Sequence, residues 1–182
     1  MGMAATIPYY TVADLERFPN DGNRYELLDG VLLVTPAPDA LHQLISARLI
    51  TMLTNALGTP GHAYVFGPGA VSFPPRTQLE PDVLVVPAQS PLSARWVDYG
   101  EHWLAVEVFS PSSRAYDREF KRDAYLTLGV RDVWLVDRDD HSVEVSRAPG
   151  ESTVVRDVIT WRVPTLDIEV RIDLSQLFAG IA

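Results

Sequence analysis

Two short apolar runs, Trp103-Leu104-Ala105-Val106-Glu107-Val108-Phe109 and Val133-Trp134-Leu135-Val136, bracket a segment of helical spacing. In that segment, from about Asp117 to Leu128, the residues Phe120, Ala124, Tyr125 and Leu128 share one face, and Gly129 supplies the stop. An unbroken apolar run of strand length is the pattern of a strand buried on both faces. Strand, helix and strand within about 34 residues predict a βαβ crossover with its two strands parallel.

Outward from this unit, more strands are expected on the N-terminal side. Tyr64 to Phe66, Ala70 to Phe73 and Asp82 to Val86 read as strands, with Pro74-Pro75 and Pro87 as interruptions. Further upstream, Asp39 can cap a helix in which Leu41, Leu44, Ile45, Leu49, Met52, Leu53 and Ala56 recur at helical spacing as far as Gly58. Before it, Asp29-Gly30 between Arg24–Leu28 and Val31–Val34 is a two-residue hairpin signal, so the first two strands are expected to be antiparallel. Thr11-Val12-Ala13-Asp14 looks like the capped start of a short helix ending before Pro19. On the C-terminal side, Ser142 to Ser146, Val154 to Asp157 and Leu166 to Ile172 are expected to complete the sheet, followed by a short helix at Leu174 to Phe178. The expected fold is α/β: one domain over residues 1–182 with a mixed central β-sheet flanked by helices.

Bulk composition narrows the function. The 182 residues with 47% hydrophobic content suffice for one domain with a full core. No cysteine is present, which excludes disulfides and thiolate metal sites and fits a cytoplasmic protein. The start, Met1 to Thr6, lacks a basic leader region, and no apolar run approaches the roughly 20 residues of a membrane span. A net charge of −9 argues against nonspecific affinity for a polyanion, although it leaves room for a local basic groove. There is no Gly-x-Ser-x-Gly elbow, no phosphate-binding Walker loop and no dinucleotide fingerprint, and His42, His62, His102 and His141 do not have zinc-protease spacing.

Lys121 is the only lysine among the 15 basic residues. A compact ammonium can sit beside a phosphoryl oxygen where a planar guanidinium cannot. Equally, one lysine on an exposed, solvated helix face, paired with Asp117 four residues away, would be unremarkable chemistry. Its company favours the first reading: Asp82 heads one apolar run and Glu107 lies within another. Two carboxylates on strands with one lysine can build a Mg²⁺-dependent phosphodiesterase, because Mg²⁺ takes one or two carboxylates plus substrate oxygens. Asp82 and Glu107 are too far apart in sequence for a local motif, so adjacent strands must bring them together.

These residues also carry a resemblance. Tyr25-Glu26-Leu27-Leu28-Asp29-Gly30, Pro36-Ala37-Pro38 followed by His42, Glu80-Pro81-Asp82-Val83, Glu107-Val108-Phe109-Ser110-Pro111-Ser112, Asp117 with Lys121 and Tyr125, and Gly129-Val130 leading to Trp134-Leu135-Val136-Asp137 resemble the Uma-type family of bacterial endonucleases. That family belongs to the PD-(D/E)XK superfamily, and the resemblance implies the restriction-endonuclease-like fold. It makes Asp82 and Glu107 metal ligands for Mg²⁺ or Mn²⁺. The parent motif places lysine two residues after the second acid, where Phe109 stands, so the resemblance is to sites whose lysine has moved to the next helix, here Lys121.

Other positions carry two readings each. Glu26 is either the acid of the first structural element or the partner of a neighbouring arginine. His42 either reaches water or phosphate at the site or bonds a loop carbonyl. Glu80 reads first as a solvated edge carboxylate and second as an accessory ligand. Arg114, Arg118 and Arg122 form either a phosphate-contacting ridge or a solvated, acid-paired face, while Tyr116, Trp103 and Trp134 read as core or rim. The expected function is a metal-dependent DNA endonuclease. The alternative is a catalytically silent module keeping the same fold for protein association or nucleic-acid docking. Leu92, Trp96, Val97 and Tyr99, in a turn-rich loop, suggest a homodimer contact or a lid over the protein's own core.

Overall fold

The computed structural model describes residues 9–109 and 120–181. The expectations for Met1 to Thr6, for Arg114, Tyr116, Asp117 and Arg118, and for the Ser110-Pro111-Ser112-Ser113 turn lie outside the described residues.

The chain begins with α1 (Val12–Leu15), whose Asp14 carboxylate accepts the Thr11 backbone N–H at 2.8 Å, the expected capping contact. The hairpin β1 (Arg24–Leu28) and β2 (Val31–Thr35) follows in the register Leu28 opposite Val31. Its turn residues Asp29 and Gly30 have φ of 53° and 84°, the left-handed pair that a tight hairpin requires and that Asp-Gly tolerates. Helix α2 (Ala40–Leu53) starts at Asp39, whose side chain accepts the His42 N–H at 2.9 Å, and runs into a wider π turn over Thr54–Gly58.

Three short strands come next: β3 (Ala63–Phe66), β4 (Val71–Phe73) and β5 (Thr77–Leu79). The third is a correction. Pro74-Pro75, read as an interruption, lies in the turn of a hairpin that pairs Phe73 with Thr77. Thr-Gln-Leu is too short to show a two-residue alternation. The central strands are β6 (Val83–Pro87) and β7 (Leu104–Val108), then α3 (Arg122–Thr127) and β8 (Asp132–Asp137). Strands β7 and β8 pair in parallel with Ala105 opposite Val133, as the crossover reading requires. Gly129 closes the helix segment with φ of 92°, a conformation that favours glycine.

Strands β9 (Ser142–Ala148) and β10 (Glu151–Val155) extend the central sheet, giving the order β10-β9-β8-β7-β6-β3, in which β7/β8 is the parallel pair. A second sheet runs β2-β1-β5-β4. The C-terminal strands depart from expectation: β11 (Val158–Arg162) and β12 (Glu169–Asp173) form a separate ribbon, followed by α4 (Leu174–Leu177). Strand β11 was not foreseen: the strand expected over Val154 to Asp157 ends at Val155, the chain bends at Arg156-Asp157, and a new strand starts at Val158. Its Trp161 is fully buried and meets Trp134 edge-on at 5.6 Å, while Trp103 is also core.

Two half-cores lie on the faces of the central sheet. Val83, Val85, Val106 and Val136 face Ile45, Leu49 and Leu53 of α2 together with Trp161, Ile172 and Leu177. Leu84, Val86, Ala105 and Leu135 face Val71 and Leu79 of the second sheet and Tyr125 of α3. In the loop after β6, Trp96 and Tyr99 turn inward onto Phe66, with ring centroids 5.2 and 5.6 Å away, whereas Leu92 and Val97 remain exposed. No described helix is long and apolar enough to cross a membrane.

Candidate active site

The site forms at one end of the central sheet, where β6 begins and β7 ends. The antiparallel register sets Val83 opposite Val106, and its next step sets Asp82 opposite Glu107. Alternation assigns both to the face of Leu84, Val86 and Ala105. Asp82 occupies a bend just before β6, so elements from both half-cores reach its carboxylate. From β1 the Arg24 guanidinium donates to Oδ1 at 3.0 Å. From α2 the His42 Nε2 lies 2.9 Å from Oδ2, which also accepts the Val108 N–H at 2.8 Å. Burial pushes the Asp82 pKa upward, but the hydrogen bond and charge of His42 and the charge of Arg24 outweigh it and leave the group below its ordinary value.

Glu107 is held differently. Its Oε1 accepts from Lys121 Nζ at 3.0 Å and from the Tyr125 hydroxyl at 2.7 Å, both contributed by the segment that follows β7. The same ammonium lies 2.8 Å from Glu26 Oε2 on β1, and Glu26 Oε1 accepts the Glu80 N–H at 2.7 Å. Lys121 therefore bridges two buried acids from different sheets and is 2% exposed. The solvated-helix reading of Lys121 is overturned: the paired acids and the Tyr125 helix enclose it. The Lys121–Glu26 contact is an ion contact without hydrogen-bond alignment, so the buried Oε2 has no aligned donor among the described residues.

The structure brings together Asp82, Glu107, Lys121, Glu26 and His42. Glu80 is a second correction. It is half-buried rather than solvated, and its pKa is raised by burial and by the neighbouring Glu26 charge. Two participants were missed. Arg24 donates to both Asp82 and the Glu80 carbonyl, and Tyr125, read as helix face and as part of the family resemblance but given no site role, holds Glu107. The signal for Arg24 was present, since Arg24 and Glu26 are two residues apart on one strand and share a face. Of the arginine ridge, Arg122 pairs with Asp123 and Glu144 at 2.8 and 2.9 Å, the acid-paired outcome, but it is half-buried rather than solvated.

A cleft of about 90 Å³ adjoins Asp82, bounded by Arg24, His42, Gln43, Ser46 and Gly67. Larger hollows lie elsewhere, such as a groove of about 660 Å³ lined by Arg147, Glu151, Thr153 and Thr160, without a buried acid pair.

Residues 12–176 match the model of the Uma2 family, described as "Putative restriction endonuclease". The chain belongs to the Uma2 family. Its fold matches a crystal structure from Anabaena variabilis titled a putative nuclease belonging to DUF820, with a TM-score of 0.78 at 19% sequence identity, covering 94% of this chain and 99% of that one. That agreement establishes the restriction-endonuclease-like architecture. Among curated proteins there is no match.

A divalent ion implied by this fold family can be tested against the residues present. Asp82, Glu107 and Glu26 offer hard carboxylate oxygens, and the buried Glu26 Oε2, which has no aligned hydrogen-bond donor among the described residues, has the Lys121 ammonium 2.8 Å away as its counter-charge. This donor chemistry fits Mg²⁺ or Mn²⁺. Among the described residues there is nevertheless no preformed group of three or more His, Cys, Asp or Glu arranged to hold a metal.

Proposed function

We propose that this Uma2-family chain is a metal-dependent DNA endonuclease with Asp82 and Glu107 as the metal-holding pair. The observation that carries the reading is the buried Lys121, which bridges Glu26 and Glu107 at 2.8 and 3.0 Å beside the strand that ends opposite Asp82. Burying an ammonium and several carboxylates costs several kcal/mol per ion before pairing. A merely structural contact could be replaced by apolar packing at little loss, so the cluster favours chemistry.

The residues divide the work. Asp82 and Glu107 would hold Mg²⁺ or Mn²⁺, which when bound polarises the scissile phosphate and lowers the pKa of a water nucleophile. Arg24, His42 and the Val108 N–H fix the Asp82 carboxylate, and Tyr125 fixes Glu107. The Lys121 ammonium neutralises charge developing on a phosphate oxygen and can donate a proton-bearing contact to the water. Glu26 keeps that ammonium charged and in place. In this reading DNA is the substrate, the protein works in the cytoplasm as one domain, and it acts as a homodimer joined through the exposed Leu92 and Val97.

Cleavage of single- and double-stranded DNA and of RNA with Mg²⁺ or Mn²⁺, comparing wild type with Asp82→Ala and Lys121→Ala, tests the reading. Metal-dependent cleavage of DNA that disappears in both variants is the expected result. A second reading, a silent module that keeps the fold for protein association or nucleic-acid docking, is favoured by one observation: both Asp82 oxygens already have partners. Absence of cleavage on every substrate, in a folded wild type loaded with metal, selects it.

A further inference from the structure

We propose that Arg24 is a built-in counter-cation, which neutralises Asp82 in the metal-free protein and competes with a divalent ion for that carboxylate. The inference rests on Asp82 as a metal ligand. Asp82 Oδ2 is filled by two donors, His42 Nε2 and the Val108 N–H, at 2.9 and 2.8 Å. A carboxylate oxygen has about two acceptor sites, so an incoming ion must use Oδ1. Arg24 donates to that oxygen at 3.0 Å, and its second anchor is the Glu80 carbonyl at 2.9 Å.

The surroundings explain why a cation is wanted there. Four carboxylates, Glu26, Glu80, Asp82 and Glu107, gather at this end of the sheet against Arg24, Lys121 and His42. Burial opposes the charge of Arg24, while Asp82, Glu107 and Glu26 all attract it. The guanidinium is therefore attracted by the same acids that would hold Mg²⁺. Its side chain is 20% exposed at the edge of the cleft, unlike Lys121 at 3%, so it is the more displaceable of the two cations. A guanidinium and a divalent ion cannot both sit on Oδ1 without strong repulsion at short range. Arg24 thus tunes metal affinity downward and spares the empty site the cost of uncompensated buried charge.

The test uses the full chain without nucleic acid, so that it is independent of cleavage. Mn²⁺ binding is measured by calorimetry, and melting temperatures are compared in EDTA and in saturating Mn²⁺, for wild type, Arg24→Gln and Arg24→Lys. Arg24→Gln is expected to bind Mn²⁺ at least about tenfold more tightly than wild type. It should melt lower in EDTA and recover most of that deficit with Mn²⁺. Arg24→Lys, which keeps the charge without the fork, should fall between the two, and it decides the matter if Arg24→Gln does not fold. Equal or weaker Mn²⁺ binding in the variants, including no binding by any of the proteins, overturns the proposal. A protein that cleaves DNA with unchanged Mn²⁺ affinity in the variants overturns the counter-cation while leaving the nuclease. The converse pattern, tighter binding without cleavage, retains the counter-cation and removes the nuclease.

Discussion

At Lys121 the consequence of burial is sharpest. An exposed lysine could be removed with little effect on stability, but this one holds two buried acids, and its deletion leaves both uncompensated. Lys121→Met is expected to destabilise the fold by about 3–5 kcal/mol, read as a lowered urea midpoint at neutral pH. Lys121→Arg keeps the charge but brings a larger fork into an enclosed space, so it should fold better than Lys121→Met and still lose most activity. Loss of one contact to transition-state charge typically costs about 10²–10³ in rate. Full metal-dependent cleavage by Lys121→Arg would take Lys121 out of the site. Tyr125→Phe removes one hydrogen bond to a carboxylate and should cost about 1.5–3 kcal/mol. The lone lysine among arginines made Lys121 legible in the sequence, and an acid at the head of one apolar run and another inside a second did the same for Asp82 and Glu107. The roles of Arg24 and Tyr125 were harder to read for a physical reason: an arginine sharing a strand face with Glu26 and a helix-face tyrosine are ordinary until the tertiary partner is known.

At the scale of elements, the long and strongly patterned pieces could be read directly. Helix α2, the β1–β2 hairpin and the β7–α3–β8 crossover each follow from apolar spacing and a glycine or aspartate at a turn. Strands β5 and β11 were not read, although each pairs with a sequence neighbour, β4 and β12, because three to five residues carry too little periodicity. The N-terminus of α2 links element to site. Asp39 caps it through the His42 N–H, and Arg138 from the end of β8 donates to both Asp39 oxygens at 2.6 and 2.7 Å. His42 is thus positioned by a cap as well as by Asp82. Asp39→Ala is expected to cost about 0.5–2 kcal/mol through the lost cap. Because the first turn would fray, it should also lower activity more than a substitution of similar thermal cost on the exposed face, such as one at Thr51. Equal activity in two such variants at matched melting temperature would separate the cap from the site.

For the molecule as a whole, acid sensitivity follows from a residue outside the site. His102 is 2% exposed, its Nε2 has no hydrogen-bond partner among the described residues, and burial lowers its pKa from 6.5 to about 4, with the Glu101 charge opposing only in part. The folded protein therefore holds this imidazole neutral where the unfolded chain would protonate it. Between pH 6.5 and about 4 the unfolded state binds more protons, so stability is complete above 6.5 and is lost progressively as pH falls through that window. The full span is worth up to about 3 kcal/mol. Glu80 acts with the opposite sign. Its pKa is raised from 4.5, so the folded state binds more protons there, and stability declines as pH rises through its own window. The two partly cancel in the wild type, and His102→Leu separates them. This variant should unfold at a urea concentration that no longer falls between pH 6.5 and 4 as steeply as in the wild type, while remaining at least as stable at pH 7 because a buried nitrogen without a partner has been removed. Parallel pH profiles for the two proteins would show that His102 is protonated in the fold and that the acid sensitivity arises elsewhere.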